Sequence, residues 1–449
     1  MKTKVIVIIV NPAFFLNRRY FFNKARTLLL MYQSGLLPAR KYGTLTYMKV
    51  IGIVAEYNPL HNGHVYQIEY AKNELNADAI VVVLAGNFLQ RGLPAVMERT
   101  LRAKAAIAAG ADVVFEMPTV VATSSANDYA LGSIALLHHC GVVTDLLFGC
   151  ENGTDDDFLR AAKAIEDLDG TDTFSDTINE YKSKGCSFAE SRAKAICKMR
   201  PELSEAFLSA PNNTLGIEYV RALLHFKSDI VPHALPRIGA QHGSSRTLDQ
   251  YASASLIRDM LSKGDDVAAY VPEATKHLLY DVTSPMLFPD DFSLLLHQRL
   301  IEEDSFKRYL DCNNDISNKI RKNRDAFVSY DSFAQLLKSK DLELSRIQRI
   351  LTHILLRISD NHRNLLHRMD YETYLHLLAF SNQGKVLLKE MKKTAYLPLF
   401  QSPKEAEQKL SQVQQKMFHV DLRAADLYRM VTTNKYHQAL PTEYTRKFQ

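Results

Sequence analysis

Between residues 48 and 153 the hydrophobic pattern switches repeatedly between two periods. Short runs rich in β-branched residues at 49–56, 79–84, 112–116 and 145–149 read as strands. Between them, near 62–76, 98–109 and 127–140, apolar residues recur at helical spacing. Strands joined by crossovers of helix length predict a parallel sheet with helices on both faces, a Rossmann-like α/β arrangement. In such sheets ligands bind beyond the carboxyl ends of the strands.

Residues 155–227 read as mostly helical, with breaks at Pro201 and at Ala210-Pro211-Asn212-Asn213. A further strand at 230–235 leads through Pro236-Arg237-Ile238-Gly239 into a loop over 240–252, and a helix follows near Ser253. From about Leu287 onward the pattern is helical with few β-branched runs, and Ser284-Pro285 and Phe288-Pro289 mark a boundary. The expected organisation is an N-terminal extension over 1–47, a catalytic α/β domain over 48–286 and a mostly α-helical domain over 287–449.

Composition changes this picture little. With 46% hydrophobic and 23% charged residues the chain has the make-up of a soluble globular protein. No apolar run approaches the ~20 residues that span a bilayer. The five cysteines, Cys140, Cys150, Cys186, Cys197 and Cys312, are scattered and form no Cys-x-x-Cys pair, which suits a reducing cytoplasm better than a disulfide framework. His138-His139-Cys140 and the set His353, His362 and His367 lack the spacing of a zinc site, so no protein-bound metal is expected.

Charge is more informative, because the net value of +5 hides a segregation. Residues 48–150 carry 6 basic and 9 acidic side chains and residues 151–300 carry 16 and 23, whereas residues 301–449 carry 25 and 18. A basic C-terminal part suits a polyanion such as nucleic acid. Residues 1–47 carry eight basic residues and no acidic one, and fit neither a transit peptide nor a secretory signal. Met48 is the expected biological start.

The chemistry gathers in Asn58-Pro59-Leu60-His61-Asn62-Gly63-His64, where the first strand turns into a helix. Unpaired amides and the helix dipole make such a start hospitable to an anion. His61 and His64 can donate hydrogen bonds to phosphate oxygens as charge builds, and Gly63 removes a Cβ from the approach. A second motif, Ser253-Ala254-Ser255-Leu256-Ile257-Arg258, offers a helix cap followed by a fixed cation suited to a leaving pyrophosphate. Together the motifs resemble the signature of the nucleotidylyltransferase superfamily of the His-x-Gly-His type.

Further blocks narrow the resemblance. Gly52-Ile53-Val54-Ala55-Glu56-Tyr57-Asn58-Pro59-Leu60-His61-Asn62-Gly63-His64, Gly86-Asn87-Phe88-Leu89-Gln90-Arg91-Gly92, Gly110-Ala111-Asp112-Val113-Val114-Phe115-Glu116-Met117-Pro118 and Pro211-Asn212-Asn213-Thr214-Leu215-Gly216 are together similar to the bacterial tRNA(Met) cytidine acetate ligases. Leu60 stands where that family usually has phenylalanine, and Leu93 where it usually has an acidic residue.

The resemblance implies a ligase that activates acetate with ATP as acetyl-adenylate and passes the acetyl group to N4 of the wobble cytidine of elongator tRNA(Met). It implies that Val54, Ala55, Glu56, Tyr57, Asn58, Pro59, Leu60, His61, Asn62, Gly63, His64, Val65, Tyr66 and Gln67 embrace ATP. Gly149, Asn212, Arg237 and Ile238 complete the pocket, His61, His64 and Arg258 carry catalysis, and Mg²⁺ accompanies the phosphates. Gln90 and Arg91 are candidates for orienting acetate or the phosphates.

For the RNA, one helical projection places Arg346, Arg349, His353 and Arg357 in a basic stripe beside an apolar face of Ile347, Ile350, Leu351, Ile354, Leu355 and Ile358. Arg321-Lys322-Asn323-Arg324 and Lys392-Lys393 are further phosphate candidates. No stable protein partner is inferred. Two other functions share parts of this pattern: an adenylyltransferase acting on a small phosphorylated metabolite, and a non-catalytic RNA-binding protein switched by ATP.

Overall fold

A computed structural model describes residues 48–237, 250–281, 285–340 and 342–446. The expectations for residues 1–47 and for Ile238 lie outside the described residues. A seven-stranded sheet organises the rest, with strand order β5-β4-β1-β2-β3-β6-β7. In chain order the elements that build the site are β1 (Val50–Ala55), α1 (Asn62–Asn73), β2 (Ala79–Ala85), α2 (Arg99–Ala108), β3 (Val113–Met117), α3 (Ala126–His139), β4 (Asp145–Cys150), α4 (Pro211–His225), β5 (Val231–Pro236) and α5 (Ala254–Lys263). The C-terminal part supplies α6 (Leu344–Leu356), β6 (Leu375–Phe380), β7 (Leu399–Phe400) and α7 (Gln412–Tyr436).

β1 to β5 run parallel, as the alternating periods predict. All seven residues of β2, Ala-Ile-Val-Val-Val-Leu-Ala, are buried, because a central parallel strand is covered on both faces. Ile51, Ile53, Ile80, Val82, Leu84 and Val114 pack with Ile68 and Ala71 of α1 and with Ala103 and Ala106 of α2 in one core.

Two strands are absent from the sequence reading. β6 pairs antiparallel with β3, with a register shift between Val114 and Phe115, and β7 pairs parallel with β6. The run Leu-His-Leu-Leu-Ala-Phe carries no β-branched residue, so its extended form depends on the edge of β3 and on burial. Residues 287–449 are therefore mostly helical, yet they complete the sheet, and Lys49–Gln449 forms one compact unit. The passage from 286 to 287 does not coincide with a break between compact bodies.

Buried polar links fasten the two parts together. Glu116 of β3 pairs with Arg99 at 2.9 Å and with His376 of β6 at 2.7 Å, and Arg99 reaches Glu443 at 2.5 Å. Asp421 of α7 accepts the Thr119 N–H at 2.7 Å. Burial and the neighbouring Glu116 push the Asp421 carboxyl up to about 7. Removing one member of such a buried cluster strands the others and typically costs about 3–5 kcal/mol.

Candidate active site

Beyond the carboxyl ends of β1, β2, β4 and β5 lies a cleft of about 360 Å³. Its floor is the turn from β1 into α1. His61 is the N-cap of α1: its backbone is extended, and its Nδ1 accepts the Gly63 N–H at 3.1 Å. His64, one turn on, returns the favour by accepting the His61 N–H on its own Nδ1 at 3.2 Å. The result is a capping box built from two histidines, with the rings stacked at 3.7 Å. A Cβ at Gly63 would lie 3.0 Å from the His61 ring, so this glycine makes room for the stack itself.

That arrangement fixes the protons. With each Nδ1 occupied as an acceptor, a neutral imidazole carries its hydrogen on Nε2. Burial, with Arg237 and Arg258 adding repulsion, lowers the His61 imidazole to about 3. Burial also holds His64 well below its ordinary value, with His61 and Arg237 contributing. Both rings are consequently neutral Nε2–H donors at physiological pH.

Cations approach from two sides. Ser253 caps α5 by accepting the Leu256 N–H at 3.2 Å, and Arg258 on that helix donates to the Asn58 carbonyl at 2.9 Å. Ser255 lines the cleft beside it. Arg237 follows β5, and Gly149 lies near the end of β4, where an added Cβ meets nothing nearer than the Arg237 Cγ at 3.7 Å. Asn212 at the start of α4 donates its side-chain N–H to Glu151 at 2.7 Å. The same carboxylate accepts the backbone N–H groups of Asn212 and Asn213, so α4 already has an acidic group at its positive end.

The third wall is the loop after β2. Gln90 and Arg91 line the cleft, and the Gln90 N–H donates to the Glu56 carboxylate at 2.9 Å. Gly92 adopts φ +74°, and a Cβ there would stand 2.3 Å from the Arg349 nitrogen of α6. Its carbonyl receives the Tyr330 hydroxyl at 2.9 Å and also meets the Thr352 hydroxyl. From below, fully buried Arg102 donates to the carbonyls of Glu56 at 2.6 Å, Ala85 at 3.0 Å and Met97 at 2.9 Å.

Of the residues singled out in the sequence, Val54, Ala55, Glu56, Tyr57, Asn58, His61, Gly63, His64, Tyr66, Gln67, Gly149, Asn212, Arg237 and Arg258 line this cleft. Pro59, Leu60, Asn62 and Val65 do not. Leu60 is fully buried, Val65 packs against the core, and Asn62 donates to the carbonyls of Gln250 at 2.9 Å and Ala269 at 3.0 Å. Sequence reasoning missed the aromatic walls, Tyr129, Phe148, Tyr219 and Tyr251. Phe148 precedes Gly149 at the strand's carboxyl end, a position that could have drawn notice.

The basic stripe needs correcting. His353 is fully buried, with its ring nitrogens 2.9 Å from the carbonyls of Leu310 and Thr123. Arg346 donates to the Asp311 carbonyl at 3.3 Å, and Arg349, mostly buried, faces the Asp311 carboxylate at 3.9 Å. Part of the face next to the apolar one thus packs on neighbouring chain instead of facing water.

The sequence model of a family described as HIGH Nucleotidyl Transferase matches residues 48–443. The tRNA(Met) cytidine acetate ligase of Caldanaerobacter subterraneus subsp. tengcongensis is 35% identical over 393 residues, covering 86% of this chain and 96% of that protein. The tRNA(Met) cytidine acetate ligase of Fervidobacterium nodosum is 32% identical over 424 residues, covering 89% and 99%. The chain belongs to the tRNA(Met) cytidine acetate ligase family. Crystal structures of Thermotoga maritima TmcAL, a 28% identical relative, superpose on this ligase-family fold with a TM-score of 0.79 without ligand and 0.76 with bound alpha-thio ATP. Each covers 86% of this chain and 95% of the other.

Proposed function

We propose that the cleft joins acetate to ATP, forming acetyl-adenylate and pyrophosphate, and then delivers the acetyl group to N4 of the wobble cytidine of elongator tRNA(Met). The observation that carries this reading is the pair of neutral Nε2–H donors, His61 and His64, set at a helix start between Arg237 and Arg258. Acetate is already ionised at neutral pH and needs no base to attack the α-phosphorus. The obstacle is repulsion between two anions, which donors and cations relieve as charge shifts onto the departing pyrophosphate.

In this reading the nucleotide lies along the turn from Val54 to Gln67, with Gly149, Asn212 and Arg237 on its far side and Arg258 toward the leaving group. Gln90 and Arg91 face acetate. Among the described residues no group of three His, Cys, Asp or Glu side chains is placed to hold a metal ion. Mg²⁺ is expected to arrive on the phosphates of ATP.

Residues 48–286 would supply the chemistry and 287–449 most of the grip on RNA, through exposed cations such as Arg321 and Lys322 at the end of one helix. No described helix is long and apolar enough to cross a membrane, and the free cysteines suit the reducing cytoplasm we take as its setting.

The test is incubation of the full chain with ATP, labelled acetate and transcribed elongator tRNA(Met). Label in cytidine, with AMP and pyrophosphate released, is the expected result. AMP transferred to a phosphorylated metabolite would favour an adenylyltransferase instead, and ATP-dependent RNA binding without turnover would favour a switch.

A further inference from the structure

The second half of the proposed reaction needs something the first does not. The exocyclic amine of cytidine is a weak nucleophile, because its lone pair is delocalised into the ring. When N4 attacks the acetyl carbonyl it must lose a proton, or the C–N bond collapses back. Few side chains in the cleft can take that proton. The Nδ1 atoms of His61 and His64 are occupied as acceptors, and their Nε2 atoms bear hydrogen. Burial keeps Tyr57, Tyr129 and Tyr219 protonated, and Arg91, Arg237 and Arg258 have no lone pair to offer. Among the described residues that line the cleft, one carboxylate remains.

We infer that Glu56 is the general base of acetyl transfer to the acceptor amine. It follows directly on β1, one residue before Tyr57 turns the chain at φ +45°, and so stands at the cleft end of the central strand. The Gln90 N–H holds one edge of its carboxylate at 2.9 Å, and Arg102 fixes its backbone carbonyl at 2.6 Å. Orientation is thus set from two sides. In the step, N4 forms a bond to the acetyl carbon and its proton passes to the Glu56 carboxylate. The bond from that carbon to the phosphate oxygen breaks, its electron pair leaves with AMP, and the proton passes to solvent.

This assignment rests on the acetyl-adenylate reading, and hydroxylamine separates the two. Hydroxylamine traps acetyl-adenylate as acetohydroxamate and, being a far stronger nucleophile than cytidine, needs no base. Glu56→Gln keeps an oxygen for the Gln90 N–H. With ATP and acetate it is expected to lower acetylation of cytidine about 100-fold or more beyond whatever it does to hydroxamate formation, the usual contribution of a positioned base. Parallel loss of both activities would place Glu56 in the nucleotide step, and retention of both would give the proton to the departing phosphate; either overturns the assignment. A parent protein that makes no acetate-dependent hydroxamate removes the adenylate on which both readings stand.

Discussion

His64→Ala tests the double-histidine cap most sharply, because that ring has a structural and a chemical task that differ in size. The structural task is to accept the His61 N–H at 3.2 Å and to stack on the His61 ring at 3.7 Å. Loss of a helix cap costs about 1 kcal/mol. The proposed chemical task is to present Nε2–H to charge that develops during displacement, and loss of one such donor costs about 2.7–4 kcal/mol, or 10²–10³ in rate. Acetate-dependent exchange of label between pyrophosphate and ATP should accordingly fall at least 100-fold, with KM for ATP moving much less than the turnover rate.

Acidity adds a second arm. Because the folded-state affinities of His61 and His64 for a proton are lowered, the unfolded chain takes up protons first as pH falls below about 6.5. Their contribution to stability is complete above that value. For His61 it is lost toward pH 3, at about 1.4 kcal/mol per pH unit; the lowered value of His64 makes its share decline in the same direction, so His64→Ala should make the decline shallower. Exchange activity should show no histidine limb between pH 5 and 8. A parent profile that falls with a midpoint near 6.5, and loses that limb in His64→Ala, would refute the neutral-donor assignment.

Gly92→Ala is expected to destabilise the protein by about 2–5 kcal/mol in denaturant titration, combining a left-handed backbone with a Cβ pressed 2.3 Å from the Arg349 nitrogen; a change under 1 kcal/mol would mean that the loop after β2 is not clamped to α6. His233 sits 2.7 Å from Asp145 and 3.5 Å from Asp155, and its hydrogen bonds to these carboxylates raise its imidazole to about 9. Its raised value means that its contribution is complete below about 6.5 and fades as pH rises through 9, so His233→Gln should lower the midpoint of thermal unfolding at pH 6 and leave it close to the parent's at pH 10. An equal deficit at both values would remove the charge from the explanation.

How legible these features were depended on whether the determinant was local. β1 to β4 could be read because each strand's burial is written in its own residues. β6 could not, because Leu375–Phe380 becomes a strand only where β3 offers an open edge. The histidines, Arg237 and Arg258 were found through motifs, which encode chemistry at fixed spacing. Tyr129, Tyr219 and Tyr251 come from three separate segments, and nothing in any one of them announces a shared wall. The stripe on α6 was misread at His353 for a related reason: a helical projection gives the angle of His353 but not whether the Leu310 and Thr123 carbonyls wait there.

The way the β2 loop is held bears on how one cleft can serve two successive reactions. Residues 86–97 carry Gln90 and Arg91 into the cleft, and they are gripped from every side. Buried Arg102 takes the carbonyls of Ala85 and Met97, while Tyr330 and Thr352 take that of Gly92. From α7, the Tyr428 hydroxyl reaches the carbonyls of Ala95 at 2.9 Å and Val96 at 3.2 Å. Three of these groups belong to residues beyond 287, so the mostly helical C-terminal part stiffens the loop after β2 as well as completing the sheet. Donors fixed in advance stabilise developing charge without reorganising, which favours the attack of acetate. The same rigidity limits any movement of the loop toward a second substrate. The acceptor base must then come to Glu56 and the adenylate, and a base from a single-stranded loop can do so at lower cost than one drawn from a duplex.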